Sequence, residues 1–150
     1  MPKARPDLGR RLQRARRRNP IRRPEPRVSE VTPLMTSAEE VVPVLAKLGM
    51  DATAPPIETG DKVWALASIA TLLSDDAQHR RLLLSHQVIP RILYALKSDT
   101  NLEVRREASG ALRNLCPCDD DAESILDEMD RHGIVDVVLT VLRWAALGLQ

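Results

Sequence analysis

The sequence predicts an all-α fold in which stacked helical repeats follow a basic N-terminal segment. Three observations carry this prediction. Aromatic residues make up only 2% of the chain and Phe is absent, so the core must be aliphatic, and the abundant Leu and Ala favour helices. Apolar residues after residue 60 recur at spacings of three and four, which is the period of an α-helix. Two stretches of the chain also overlay at a shift of 43 residues.

Residues 1–36 are predicted to be a disordered basic tail. Residues 1–27 hold one Lys and ten Arg against two acidic residues, a net charge of +9, whereas the rest of the chain carries −8. A segment this polar and rich in proline cannot bury enough apolar surface to offset the entropy lost on ordering. The acidic body that follows is suited to a basic partner, which it would attract and steer.

The first half of the body is predicted to contain four helices. Ser37 is a typical N-cap for a helix over residues 37–49, and Gly49 is a typical residue at a helix end. A longer helix begins at residue 61 and is interrupted at Ser74–Asp75–Asp76. Two short helices are predicted over residues 76–84 and 88–96. Pro90 falls in the first turn of the last one, where proline is tolerated.

The second half is predicted to contain three helices, over residues 101–115, 119–129 and 134–146. The spacing predicts that several apolar side chains of the first two face the core, among them Leu102, Val104, Ala108, Ala111, Leu112, Leu115, Ile125, Leu126 and Met129. Both tryptophans, Trp64 and Trp144, are interpreted as core residues because Trp carries a large apolar area. The last helix is expected to keep an apolar side exposed.

An internal repeat relates the two halves. Residues 64–72 overlay residues 107–115 at a shift of 43, and Ile89 and Ile92 overlay Ile134 and Val137 at a shift of 45. A period in the low forties with three helices per unit is typical of armadillo-type repeats, which stack into a solenoid with an extended concave surface. We therefore predict about two such repeats within residues 37–150, approximately 37–98 and 99–148. Gly110 is interpreted as a small residue that allows close helix packing.

Four motifs carry a resemblance to a known family. In chain order they are R-R-R-N-P-I-R-R-P (16–24), K-V-W-A-L-A-S-I-A-T-L-L (62–73), H-R-R-L-L-L-S-H-Q-V-I (79–89) and E-V-R-R-E-A-S-G-A-L-R-N-L-C (103–116). This order resembles the N-terminal region of the fungal symportins, which are related to HEAT repeat-containing protein 3 of animals. Members of that family are armadillo/HEAT-repeat proteins and are much longer than this chain.

The resemblance implies a role in ribosome biogenesis. Symportins bind the two large-subunit ribosomal proteins that accompany 5S ribosomal RNA and carry them into the nucleus through a karyopherin. By this resemblance the chain would be a non-enzymatic adaptor or chaperone that shuttles between cytoplasm and nucleus. Family signals of the transportin type end in Pro-Tyr, whereas here Pro24 is followed by Glu25. The arginine clusters would then be read by another importin.

The basic cluster of the tail is the candidate nuclear localisation signal, because extended positive charge suits the acidic pockets of an importin. It comprises Arg10, Arg11, Arg14, Arg16, Arg17, Arg18, Arg22, Arg23 and Pro24. The alternative is a general armadillo scaffold whose tail binds RNA through its phosphates. No aromatic residue is interleaved, so base stacking is not expected. A purely solvated tail remains the third interpretation.

Two features of the second repeat are candidate client-binding residues. Asn114 occupies the position in the third helix where armadillo repeats in general place a groove-lining Asn, although the equivalent residue of the first repeat is Thr71. Asp120, Asp121 and Glu123 belong to an acidic stretch that would attract a basic client. A plain solvated helix face explains the same acidic residues equally simply.

Nothing in the sequence predicts an enzyme, a metal site, a cofactor or a membrane partner. Cys116 and Cys118 are one residue apart, whereas structural zinc sites space their Cys pairs by about two to four residues. We expect Cys116 to be buried at a helix end and Cys118 to be exposed in a turn. Ser85 and His86 are adjacent in sequence, which does not supply the geometry of a nucleophile and its base. No run of 18 apolar residues occurs.

Overall fold

The computed structural model describes residues 37–75, 77–116 and 122–148, and these residues form seven α-helices and no strand. The predicted all-α fold is therefore confirmed. The predicted tail, residues 1–36, lies outside the described ranges. The helices are α1 (Ala38–Lys47), α2 (Thr59–Asp75), α3 (Ala77–Ser85), α4 (Val88–Ser98), α5 (Leu102–Leu115), α6 (Ala122–Arg131) and α7 (Ile134–Ala146).

Local sequence signals account for the ends of α1. The Ser37 hydroxyl accepts a hydrogen bond from the Glu40 backbone N–H, and the Glu40 carboxylate accepts one from the Ser37 N–H. This reciprocal capping box satisfies two N–H groups that a helix start otherwise leaves without partners. After Lys47 the chain turns at Gly49, which has φ of +72°, a left-handed conformation that glycine adopts without steric cost.

The core is a single aliphatic cluster that runs through all seven helices. Its centre is the pair α2 and α5, which pack more extensively against each other than any other two helices. α2 contributes Ala65, Leu66 and Ile69, all of them inaccessible to solvent. Gly110 is buried within α5, as expected for a residue that allows close approach of helices. α3 packs against α2, α4 packs against α5, and α6 and α7 pack against α4 and against each other.

The links before α4 and α7 repeat the same backbone conformation. Gln87 has φ of 59° and ψ of 45°, and Gly133 has φ of 76° and ψ of 40°, and each lies directly before its helix. In both links the two residues that follow the short preceding helix donate backbone hydrogen bonds back into its final turn. A left-handed residue is a common helix end, and glycine adopts it without steric cost, so the two links resemble each other locally.

The predicted burial of five residues is wrong. Leu102 and Leu126 were expected in the core, but they are 58% and 53% exposed, because they lie on the sides of α5 and α6 that no described helix covers. Cys116 was expected to be buried, but it is exposed, because it follows the last turn of α5 at the C-cap. Both tryptophans are half-buried rather than core residues. Cys118 lies outside the described residues.

Candidate protein-binding surfaces

Only two of the thirteen predicted site residues are described by the structure. Asn114 lies in the last turn of α5, and Glu123 lies in the first turn of α6. Asp120 and Asp121 fall in the gap between residues 116 and 122, and the nine residues of the localisation signal fall in residues 1–36, so all eleven lie outside the described ranges.

Asn114 makes a contact between the two central helices. Its side chain is 6% exposed, and its amide donates a hydrogen bond to the backbone carbonyl of Ala70 on α2 over 2.7 Å. A buried amide needs such a partner, because leaving it without one costs about 1–3 kcal/mol. The contact joins residues 44 positions apart, so it holds α5 against α2 rather than offering the amide to solvent. Its role as a client-binding residue stays a prediction.

Arg80 strengthens the same junction from α3. Its guanidinium donates to the backbone carbonyl of Leu73 over 3.2 Å and to that of Asn114 over 3.1 Å. These carbonyls belong to the last turns of α2 and α5, where a helix has acceptors without intrahelical partners and a partial negative charge. One cation therefore joins the C-terminal ends of both central helices. Asn114 and Arg80 together give α2 and α5 a fixed side-by-side arrangement.

Glu107 is a feature that the sequence pattern did not indicate. It lies on α5 and is completely buried, with its carboxylate 3.6 Å from the guanidinium of Arg106. Periodicity treats a glutamate as a surface residue, and its overlay with Trp64 was the only signal for an inward position. A buried carboxylate needs compensating partners, and the neighbouring Arg106 of the same helix is one of them.

α6 presents an acidic face. Glu123, Asp127 and Asp130 are exposed, whereas Ile125 and Met129 on the opposite side are buried. The helix is therefore amphipathic, and its charges are directed to water. Such a face can raise the association rate of a basic protein over distances of about 8–10 Å at moderate ionic strength.

α7 leaves an apolar side exposed, as the sequence predicted. Val135, Val138, Leu139 and Leu142 are each exposed to between 44% and 63%, and only Val137 of this helix is buried. We call these four exposed residues the open face. Contiguous apolar surface of this kind typically marks a contact with another protein surface. The guanidinium of Arg105 lies 3.7 Å from the centre of the Trp144 ring and joins α7 to α5.

Across residues 37–75, 77–116 and 122–148, no group of three His, Cys, Asp or Glu side chains is placed to hold a metal ion. His79 lies 3.4 Å from Asp75 one turn earlier. None of the described helices combines the length and apolar character needed to cross a bilayer.

Comparison with known proteins identifies one armadillo-type repeat. Residues 76–116 match the model of the armadillo/beta-catenin-like repeat, and these 41 residues contain α3, α4 and α5. No curated protein and no solved structure matches the chain. The match begins inside the first predicted repeat and ends inside the second, because a unit cut from a continuous array has no unique starting helix. The boundaries at 37–98 and 99–148 stay a prediction.

Proposed function

We propose that this chain is a non-enzymatic adaptor that binds basic ribosomal proteins and accompanies them between cytoplasm and nucleus. The observation that carries the protein-binding part is the armadillo-type repeat, whose neighbouring α7 leaves an apolar face exposed. Helical repeats of this type bury their apolar faces only against neighbours and generally act as protein-binding scaffolds. The finer assignment, to the proteins that accompany 5S ribosomal RNA, rests on the resemblance to symportins.

Charge supports a basic client. The chain outside residues 1–27 carries a net charge of −8, and α6 directs three carboxylates to solvent. A ribosomal protein with high positive charge would be attracted to this surface and its association accelerated. Asp120, Asp121 and Glu123 are the proposed steering residues for this step.

The basic tail supports delivery to the nucleus. Arg16, Arg17 and Arg18 form the densest part of the cluster, and Arg22 and Arg23 extend it. Such a segment would engage an importin through its charge. In this proposal the tail recruits the carrier and the helical body holds the client. Mutations in the tail should therefore impair import without impairing client binding, and mutations in the body should do the reverse.

The import experiment uses two double variants of the full chain with the same change in charge. The first is Arg17→Ala with Arg18→Ala in the tail. The control is Arg81→Ala with Arg113→Ala, at exposed positions of α3 and α5. Nuclear accumulation of a fluorescent fusion in permeabilised cells should fall at least fivefold for the first variant only. Equal accumulation of both would show that the tail is not a localisation signal.

The client experiment measures association rates with the two ribosomal proteins that accompany 5S ribosomal RNA. Replacing Asp120, Asp121 and Glu123 by Lys should slow association, and the difference should shrink as salt is raised. The control replaces Glu39, Glu58 and Asp61 by Lys, since these exposed acids lie in the first half of the body. Unchanged rates at every salt concentration would contradict the steering role.

Binding of RNA is the alternative function of the tail. If the full chain captures single-stranded RNA with a strong dependence on salt, and neither an importin nor the ribosomal proteins bind, the adaptor proposal fails. The scaffold with an RNA-binding tail would then describe the protein.

A further inference from the structure

The open face of α7 has the same residue pattern as a stripe that α4 buries. On α4 four aliphatic side chains follow one another at gaps of three, one and three residues, and each is at most 3% exposed: Ile89, Ile92, Leu93 and Leu96. Counted from the first residue of each helix, Val88 and Ile134, the four residues of the open face stand at the same four places. Neighbouring helices cover the stripe on α4. The open face is therefore built like the contact surface of a packed helix.

The spacing of the open face is the same in both directions along the helix. Its gaps are three, one and three residues whether α7 is followed forwards or backwards. Two antiparallel copies of α7 therefore place Val135 opposite Leu142 of the second copy, and Val138 opposite Leu139 of the second copy. A two-fold axis between the copies pairs all four residues of both faces at once. Such self-complementary contacts are the commonest way in which identical chains associate.

The charges of α7 distinguish a second copy from an unrelated apolar helix. The helix has two charged residues, Asp136 and Arg143, and both are exposed. Because they are seven positions apart, they lie on the same flank of the open face. In an antiparallel pair with a two-fold axis, this flank of one copy faces the same flank of the other. Asp136 then lies within two residues along the axis, about 3 Å, of Arg143 of the second copy, and the axis repeats this pair.

The opposite flank of α7 selects the antiparallel arrangement over a parallel one. That flank is apolar and carries Ile134, Val141 and Ala145. A parallel pair would set the charged flank of one copy against the apolar flank of the other, whereas the antiparallel pair matches charges as well as apolar side chains. Lys97 already pairs with Asp136 within the chain, but the Asp136 side chain is 61% exposed. A carboxylate has several lone pairs, so it can accept from a second cation as well.

The size of the open face limits the strength of such a contact. A stable interface involves about 20–30 residues on each side, and a contact made by one helix of each copy is much smaller. We therefore expect a transient dimer with a dissociation constant on the order of 100 μM. In dilute solution the chain would then be a monomer, and the open face would contribute to stability only at concentrations where the dimer forms.

We propose that the open face of α7 binds a second copy of this chain in an antiparallel, two-fold contact. The contact goes beyond the adaptor function and needs neither a client nor a carrier. A dimer presents two basic tails and two acidic α6 helices at once. A carrier or client with two binding sites would therefore bind the dimer more tightly than it binds one chain.

The test measures self-association of the full chain by sedimentation equilibrium from micromolar to millimolar concentrations. Leu139→Lys and Val138→Glu should each raise the dissociation constant at least tenfold, because each sets a charge against an apolar side chain. An equimolar mixture of these two variants should recover the dimer, since positions 138 and 139 lie opposite each other across the axis. A chain that stays monomeric throughout, or a mixture that does not recover, would overturn the proposal.

Two controls test the register and the surface. A mixture of Val135→Lys with Val135→Glu should not recover, because position 135 lies opposite position 142 in the antiparallel pair. Recovery there would indicate a parallel pair and would overturn the proposed geometry. Leu102→Lys makes the same chemical change at an exposed leucine of α5, which contacts α7 through Trp144, almost opposite the open face. It should dimerise within twofold of the unaltered chain, and a tenfold loss would place the contact elsewhere.

A second measurement does not depend on the folding of any variant. The isotope-labelled full chain is diluted stepwise, and amide chemical shifts are followed by NMR. Shifts that depend on concentration should centre on residues 135–142. Shifts centred on α1, α2 or α3 would overturn the proposal. So would amides of α7 that are protected from hydrogen exchange equally at every concentration, since another segment of the same chain would then cover the open face.

Discussion

α4 and α7 take matching places in the predicted internal repeat, yet one is covered and the other is exposed. Each follows a left-handed residue, and each is rich in aliphatic side chains. α4 buries six residues, among them Leu93 and Leu96, because α5 packs along it. α7 buries only Val137, and no described helix takes the place that α5 takes on α4.

The comparison shows that the burial of a repeat helix depends on its neighbour as well as on its own sequence. The open face of α7 remains apolar although it is exposed, and apolar area is stabilising only when it is removed from water. We infer that the same residue type should contribute strongly to stability on α4 and very little on α7. The predictions below test this difference, from the largest expected effect to the smallest.

Leu96→Ala should be the most destabilising change of those considered. Leu96 is 3% exposed on α4, whereas Leu142, which lies equally far from the start of α7, is 58% exposed. Removing a buried leucine side chain costs about 2–5 kcal/mol, and a change at an exposed position costs less than about 0.5 kcal/mol. Urea unfolding of Leu96→Ala and of Leu142→Ala, followed by circular dichroism, measures the two losses in stability.

Leu142→Ala serves as the matched control for this prediction, since the chemical change is identical. If both variants lost the same stability, α7 would have to be covered in solution, by another copy or by another segment. Repeating the unfolding at several protein concentrations distinguishes these cases, because only coverage by a second copy depends on concentration.

Asn114→Ala should destabilise by about 1–3 kcal/mol, since it removes the buried hydrogen bond to the carbonyl of Ala70. The matched control is Thr71→Ala at the equivalent position of α2. Thr71 is exposed and bonds only within its own helix, to the carbonyl of Ala67 over 3.0 Å, so its loss should cost less than about 0.5 kcal/mol. Equal losses in thermal or urea unfolding would show that Asn114 does not join the two helices in solution.

The sequence was sufficient to predict the helices, because their periodicity and caps are local. Ser37 marks a helix start through its hydroxyl, whereas Gly49 and Pro90 mark a helix end and a first turn through their backbone. The exposed side of α7 could also be predicted, since the chain has more apolar residues there than one neighbour can cover. The exposure of Leu102 and Leu126 could not be predicted, because it depends on which neighbouring helix is present and not on the spacing of apolar residues in the sequence.

The binding surfaces could be predicted only in part, because the residues that contact each other there are far apart in the sequence. The amide of Asn114 finds its acceptor 44 residues away, and Arg80 bridges two helix ends that are far apart in sequence. A cavity between α4 and the start of α7 is lined by both Met50 and His132, and no local pattern connects these residues. Charge patterns did predict an acidic helix, but its binding role depends on a client.

The stack of Arg105 on Trp144 should be worth about 0.5–2 kcal/mol. It links α5 to the exposed helix α7, and it is measured by a double-mutant cycle of Arg105→Gln and Trp144→Leu. The cycle is needed because Arg105 also donates to the carbonyl of Asp99, so the single variant loses two contacts. Arg105→Lys retains the charge but not the planar stack, and it should recover only part of the loss. A coupling energy of zero would show that the stack does not form in solution.

Asp136→Asn should have the smallest effect, and its signature is a dependence on pH. The hydrogen bond and charge of Lys97 lower the pKa of Asp136 below its ordinary value of 3.8, so the carboxylate is more readily ionised in the folded chain than in the unfolded one. Its contribution to stability is therefore fully present above pH 3.8 and is lost as the pH falls further, through the folded value. The gap in unfolding free energy between the unaltered chain and Asp136→Asn should stay constant at neutral pH and shrink in acid. In a Lys97→Met background the same comparison should lose most of this dependence and keep only the smaller part that the positive charge of Arg143 contributes. If the dependence persisted in full in Lys97→Met, the ion pair between α4 and α7 would not be its cause.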